Sequence, residues 1–191
     1  MIKLVTFLGN PGREHQQSRH NIGWMLADVA RITKNLSWQK KFKGLYAGST
    51  INSEKRFFLK PATFMNKSGE SVQALLAFFK LTPDEMLVVH DDLELEFGQI
   101  RIKKGGGLGG HNGLRSIVQA VGTPEFHRLR LGISRPTHGN VAAYVLSAFS
   151  KNEQAMLPQY LEQAAEALTF SLTAGIEVAE QQFQKQVVIN K

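Results

Sequence analysis

Apolar positions recur along the chain with two alternating periods. IKLVTFLG (2–9) is a continuous apolar run closed by NPG, the pattern of a short strand buried on both faces. NIGWMLADVARI (21–32) carries its apolar residues at helical spacing. FKGLYAGSTI (42–51) and KRFFLKPA (55–62), separated by NSE, predict two neighbouring strands joined as a hairpin. KSGESVQALLAFFKL (67–81) predicts a helix that ends ahead of Pro83. MLVVHDD reads as a buried strand ending in acids, and GQIRIKK as a strand with alternating basic residues. LRSIVQAVG predicts a helix stopped by Gly122, and HRLRLGIS a further strand. From Val141 onward the pattern is helical, most clearly in QYLEQAAEALTFSL.

Strands alternating with helices, without repeats or a low-complexity linker, predict an α/β fold in a single domain spanning 1–191. The hairpin makes the expected sheet a twisted mixed one, flanked by helices. In open α/β sheets ligands gather beyond the carboxyl ends of the strands. Asn10, Asn66 and Asp91 follow apolar runs at such ends.

Composition narrows the function classes. Cysteine is absent, which removes disulfides, thiolate nucleophiles and cysteine-bound zinc. No apolar run is long enough to span a membrane, and MIKLVTFLGNPG lacks a signal-peptide pattern, so a cytoplasmic protein without a membrane partner is expected. The formal net charge is +7 and the excess lies entirely in residues 1–136, while residues 137–191 are slightly acidic. That bias suits a polyanionic partner such as nucleic acid, although solubility alone also accounts for it.

Among the six histidines, His20 stands directly ahead of the first helix and close to Asn10. An imidazole there can serve as a general base, or simply begin the helix. Asp91 at a strand end can orient such an imidazole and stabilise its protonated form, or cap a turn. The amides of Asn10, Asn66 and Asn112 can donate and accept, which suits a peptide backbone or an oxyanion, and each alone also fits a turn. No G-x-S-x-G elbow, H-E-x-x-H pair or P-loop is present, which leaves water as the simplest nucleophile. GGGLGGHNG (105–113) holds six of the 17 glycines but lacks the lysine and hydroxyl of a P-loop. It reads as a glycine-rich rim where substrate can approach the backbone.

At LGNPG, SRHNIGW, KPATFMNKSGESV, VVHDDLEL, GGGLGGHNGLRSI and FHRLRLGI the sequence resembles bacterial peptidyl-tRNA hydrolase, with the motifs in family order from residue 7 to about 133. The resemblance implies a monomeric enzyme that cleaves the ester between a peptide and the 3′ ribose of tRNA, with no metal or cofactor. Carried over by position, His20 is the catalytic histidine, Asp91 its partner, and Asn10, Asn66 and Asn112 the family asparagines. Asn10 joins the catalytic set, and Phe64 joins Asn66 and Asn112 in substrate binding. Lys103 and Arg130 fall on residues that grip the tRNA phosphate, and Lys104, Arg128 and Arg135 are further candidates for phosphate contact. On this reading His20, rather than His111, is the catalyst. The chain departs from the common pattern at His15, Asp92, Leu108 and after Leu95. Two rival readings are an RNA-binding module on the same fold, as in organellar relatives that serve splicing, and a dinucleotide site. The latter lacks a G-x-G-x-x-G opening a helix.

Overall fold

The computed structural model describes residues 1–183, and residues 184–191 of the expected domain lie outside them. Its strands are β1 (Leu4–Phe7), β2 (Gln39–Lys41), β3 (Gly44–Ile51), β4 (Glu54–Pro61), β5 (Met86–Asp92), β6 (Ile100–Lys104) and β7 (His127–Gly132). Its helices are α1 (Ile22–Val29), α2 (Arg31–Lys34), α3 (Ser68–Phe79), α4 (Asn112–Val121), α5 (Val141–Leu146), α6 (Lys151–Thr173) and α7 (Ile176–Phe183). The strands form one mixed sheet in the order β2-β3-β4-β1-β5-β7-β6, which is the expected α/β class.

β4, β1, β5 and β7 run parallel and make the centre. β1 is buried along its whole length, which explains why its sequence is a continuous apolar run and not an alternating one. One sheet face, with Val5, Phe7, Val89 and Leu131, packs against α1, α6 and α7. The other, with Leu4, Leu8, Leu59 and Val88, packs against α3 and α4. Among the described residues no helix is long and apolar enough to cross a membrane.

The expected hairpin is β3–β4, turned by Asn52 and Ser53, both at positive φ (51° and 65°) as a two-residue type I′ loop requires. β2 was not expected. Its three residues are exposed and polar, so they carry no hydrophobic signal, and lysines dominate because this is a sheet edge. The helix expected over 21–32 breaks at Ala30, which is extended, with the Thr33 hydroxyl donating to the Ala27 and Ala30 carbonyls. The helical C-terminal region divides into α5, α6 and α7.

α3 and α4 approach most closely at Gly69, whose N–H donates to Ser116 Oγ at 2.9 Å. A Cβ at Gly69 would lie 2.1 Å from the Ser116 carbonyl oxygen. Overpacking of this kind costs about 1–3 kcal/mol, more than alanine's helix propensity of up to ~1 kcal/mol returns. Gly69→Ala is therefore expected to lower the urea midpoint of unfolding; an unchanged or higher midpoint would show that the two helices can separate freely.

Candidate active site

The carboxyl ends of the central parallel strands converge on a cavity of about 580 Å³. β1 leads to Asn10, β4 to Phe64 and Asn66, and β5 carries Asp91 next to its last residue, while α4 brings Asn112 from the other side. All of these, with His20, line the cavity. This is the crevice between strands whose connections leave to opposite sides of β1.

His20 lies in a 3-10 turn, Arg19–Asn21, that feeds α1. Its Nδ1–H donates to Asp91 at 2.8 Å and 3.0 Å from the two carboxylate oxygens. The acceptor-only carboxylate fixes the tautomer and leaves Nε2 as the basic nitrogen. Burial acts to lower the His20 pKa, but the charge of Asp91 and the hydrogen bond to it outweigh burial, so it lies above the ordinary value. Asp91 is itself buried, which favours its neutral form. The facing imidazoles and their hydrogen bonds prevail and hold it far below the ordinary carboxylate range.

The second imidazole is His111, and its part was missed in the sequence. It is the N-cap of α4, and its Nδ1 accepts from the backbone N–H groups of Gly113 and Leu114 at 3.1 Å and 3.3 Å. Nε2 must then carry the proton, which it donates to Asp91 at 2.9 Å. The signal was its place directly before a helix, where a side-chain acceptor is wanted. The His20, Asp91 and His111 ligand atoms lie within 4.8 Å of one another, as in a metal cluster. A metal on His111 Nε2 would move the proton to Nδ1, against two N–H donors. The donor set fits a hydrogen-bonded chain better than a chelate.

Asn10 is oriented as closely. Its Oδ1 accepts from Met65 N–H at 2.7 Å, which assigns the amide and leaves its N–H donors for the cavity. Asn21, also missed in the sequence, accepts from Asn10 N–H at 2.8 Å and donates to the Asn10 carbonyl at 2.9 Å. Asn66 and Asn112 are exposed on the rim, and the side-chain Oδ1 of Asn112 accepts from Arg115. Phe64 is 60% exposed.

A smaller cavity of about 230 Å³ lies beside the first, between the glycine segment and the ends of β6 and β7. Lys103 and Arg130 both line it. Arg130 Nε also donates to Asp92 at 2.7 Å, so one departure from the family pattern anchors this arginine. Of the further cations, Arg128 also lines the smaller cavity and Arg135 the larger. Arg128 is buried and donates to the Gly107 and Gly106 carbonyls, shaping the glycine segment from beneath. Arg135 is paired with Glu94 at the larger cavity. Strand alternation turns Lys104 to the face opposite Lys103. The segment itself holds Gly105, Gly106, Gly109 and Gly110 at positive φ, and Cβ atoms at Gly107, Gly109 and Gly110 would meet nothing within 4 Å, so its outer edge is open backbone.

The family model for peptidyl-tRNA hydrolase matches residues 4–191. The chain belongs to the peptidyl-tRNA hydrolase family. A peptidyl-tRNA hydrolase from Sorangium cellulosum (strain So ce56) is 47% identical over 180 residues, covering 92% of this chain and 81% of that protein. One from Listeria innocua serovar 6a is 41% identical over 179 residues, covering 93% and 97%. The crystal structure of peptidyl-tRNA hydrolase from Acinetobacter baumannii superposes with a TM-score of 0.88 at 35% identity, over 97% of this chain and 95% of that one. As a member of the peptidyl-tRNA hydrolase family, the chain is a hydrolase.

His90 is buried beside this site. Its Nδ1–H donates to the Asp91 carbonyl at 2.7 Å, its Nε2 has no partner among the described residues, and burial above all pushes its pKa down to about 3. The unfolded chain therefore takes up this proton first, and stability falls as pH drops from 6.5 towards 3. His20 acts in the opposite sense: its contribution is full below pH 6.5 and is lost as pH rises through its raised folded value. Urea midpoints measured from about pH 6.5 down to about pH 4 should decline less steeply in His90→Leu than in the parent. Equal slopes would mean that His90 is protonated in the folded state.

Proposed function

We propose that the chain hydrolyses the ester joining a peptide to the 3′ ribose of peptidyl-tRNA, acting as a monomeric, single-domain enzyme in the cytoplasm. The observation that carries this reading is a basic nitrogen and a set of amide donors facing one cavity. His20 is tied to Asp91 through Nδ1, and Asn10 has its oxygen occupied by Met65. His20 Nε2 takes a proton from a water as that water attacks the ester carbonyl. Asp91 stabilises the imidazolium that forms, and His111 holds the carboxylate through its second hydrogen bond. The Asn10 amide donates to the developing oxyanion. The proton then passes from His20 to the departing 3′ ribose oxygen.

Asn66 and Asn112 bind the peptide main chain, which lets one site accept many side chains, and Phe64 supplies an apolar wall. Lys103 and Arg130 hold a tRNA phosphate in the smaller cavity, a contact that positions without reading sequence. A free aminoacyl-tRNA carries an ammonium where peptidyl-tRNA has an amide, and it is expected to be a poor substrate.

Incubation with N-acetylaminoacyl-tRNA tests the reading directly: the parent should release tRNA, and a pure RNA-binding module would bind without release. His20→Ala should lower kcat by roughly 10³-fold or more while the affinity for tRNA is kept. Turnover at the parental rate would remove His20 from the base role. Lys103→Ala should raise KM, leave kcat near the parental value, and reduce the slope of log affinity against log salt by about 0.7–0.9. An unaltered salt slope would place the phosphate elsewhere.

A further inference from the structure

We propose that Arg19 is a positioning residue for His20, holding the turn that carries the imidazole against the corner between α5 and α6. The proposal rests on the reading of His20 as the base, and concerns how that base is kept on Asp91.

A three-residue 3-10 turn has little cooperativity of its own, so its neighbours must set its geometry. On one side, Asn21 is bonded twice to the Asn10 backbone. On the other, the Arg19 side chain is 7% exposed and reaches away from the cavity into the C-terminal part of the fold. Nη1 donates to Ser147 Oγ at 2.8 Å and to the Ala148 carbonyl at 2.6 Å, and Nη2 donates to Glu153 at 2.7 Å. The guanidinium also lies 4.1 Å from the Tyr144 ring centroid. The backbone adds a parallel tie, with Arg19 N–H donating to the Ser147 carbonyl and Ser18 bridged to Ala148.

Every partner of Arg19 is itself held. Tyr144 donates its hydroxyl to the Ile133 carbonyl, just past β7. Glu153 accepts from the Ser150 N–H in the capping box that opens α6. Arg19 thus anchors the His20 turn to two parts of the fold, the end of α5, whose other residues line the cavity, and the start of α6. The task requires a planar fork with several donors, which lysine lacks. The charge is buried and paired, so simple truncation would strand Glu153.

Arg19→Lys keeps a cation opposite Glu153 but cannot reach Ser147 and Ala148 together, and Arg19→Met combined with Glu153→Met removes both charges. With N-acetylaminoacyl-tRNA as substrate, both variants should lose kcat by about tenfold with KM within about twofold of the parent, because misplacing a base is felt in the chemical step. Their His20 imidazole, followed by NMR titration, should titrate lower than in the parent because its contact with Asp91 loosens. Thr33→Val, which breaks a buried cap distant from the site, controls for stability: it should lower the melting temperature without moving the His20 titration. An unchanged His20 titration in both Arg19 variants, or a shifted one with full kcat, overturns the proposal. His20→Asn separates the two readings. If that variant turned over normally, the assignment of the base would fall, while the NMR titration would still report whether Arg19 holds His20 in place.

Discussion

A carboxylate kept ionised in a nearly water-free position is what the site is built around. Asp91 lies near the carboxyl end of β5, inside the parallel part of the sheet, where burial alone would neutralise it. It stays charged because two imidazoles, carried by different elements, both donate to it. Each donor is fixed by a separate part of the fold. His111 is aimed by the first free N–H groups of α4, and α4 is seated by the glycine contact with α3. His20 is aimed by a turn clamped between the β1 loop and the C-terminal helices. Sheet, helix packing and chemistry therefore meet at one group, and a disturbance in any of them reaches the proposed base through Asp91.

The basic composition is divided between two tasks. Arg19, Arg56, Lys60 and Arg128 are buried and hydrogen-bonded to carbonyl or carboxylate groups, so they act as internal struts. Lys103 is exposed over the smaller cavity and is free to meet an anion. The net charge therefore overstates what the protein presents to a polyanion. For the proposed phosphate contact what counts is a local arrangement, one exposed lysine and one arginine anchored by Asp92, beside a glycine edge without side chains.

Much of this was legible in the sequence, for reasons that differ by residue. Strands buried on both faces declare themselves by unbroken apolar runs, so β1 and β5 stood out, and the residues after them marked the site. Asn10, Asn66, Asp91 and Asn112 do line one cavity with His20 and Phe64. β2 was silent because an exposed edge of three polar residues has no apolar period. The break in the first helix was hidden because Ala30 carries no breaker signal and the Thr33 hydroxyl that supports the turn acts from beyond it. His111 carries no mark of its part in the sequence, because its two nitrogens serve two different neighbours that only the fold brings together. Arg128 and Lys103 look alike in two basic strands and stand opposite each other in register, and only burial separates the strut from the exposed lysine.

The capping bond of His111 also bears on how the protein ages. An asparagine followed by glycine is the dipeptide most prone to spontaneous deamidation, because the glycine backbone nitrogen can attack the side-chain amide. Asn112–Gly113 is such a pair, on an exposed rim. Here the Gly113 N–H is engaged by His111 Nδ1 and the asparagine is held in the first turn of a helix, so the attacking nitrogen is tethered away from the approach it needs. Asn10 is shielded by different means, since the nitrogen after it belongs to Pro11 and has no proton to lose. Two amides with proposed roles in substrate handling are thus guarded against conversion to acids, a change that would place negative charge against the carbonyl oxygens of the proposed substrate.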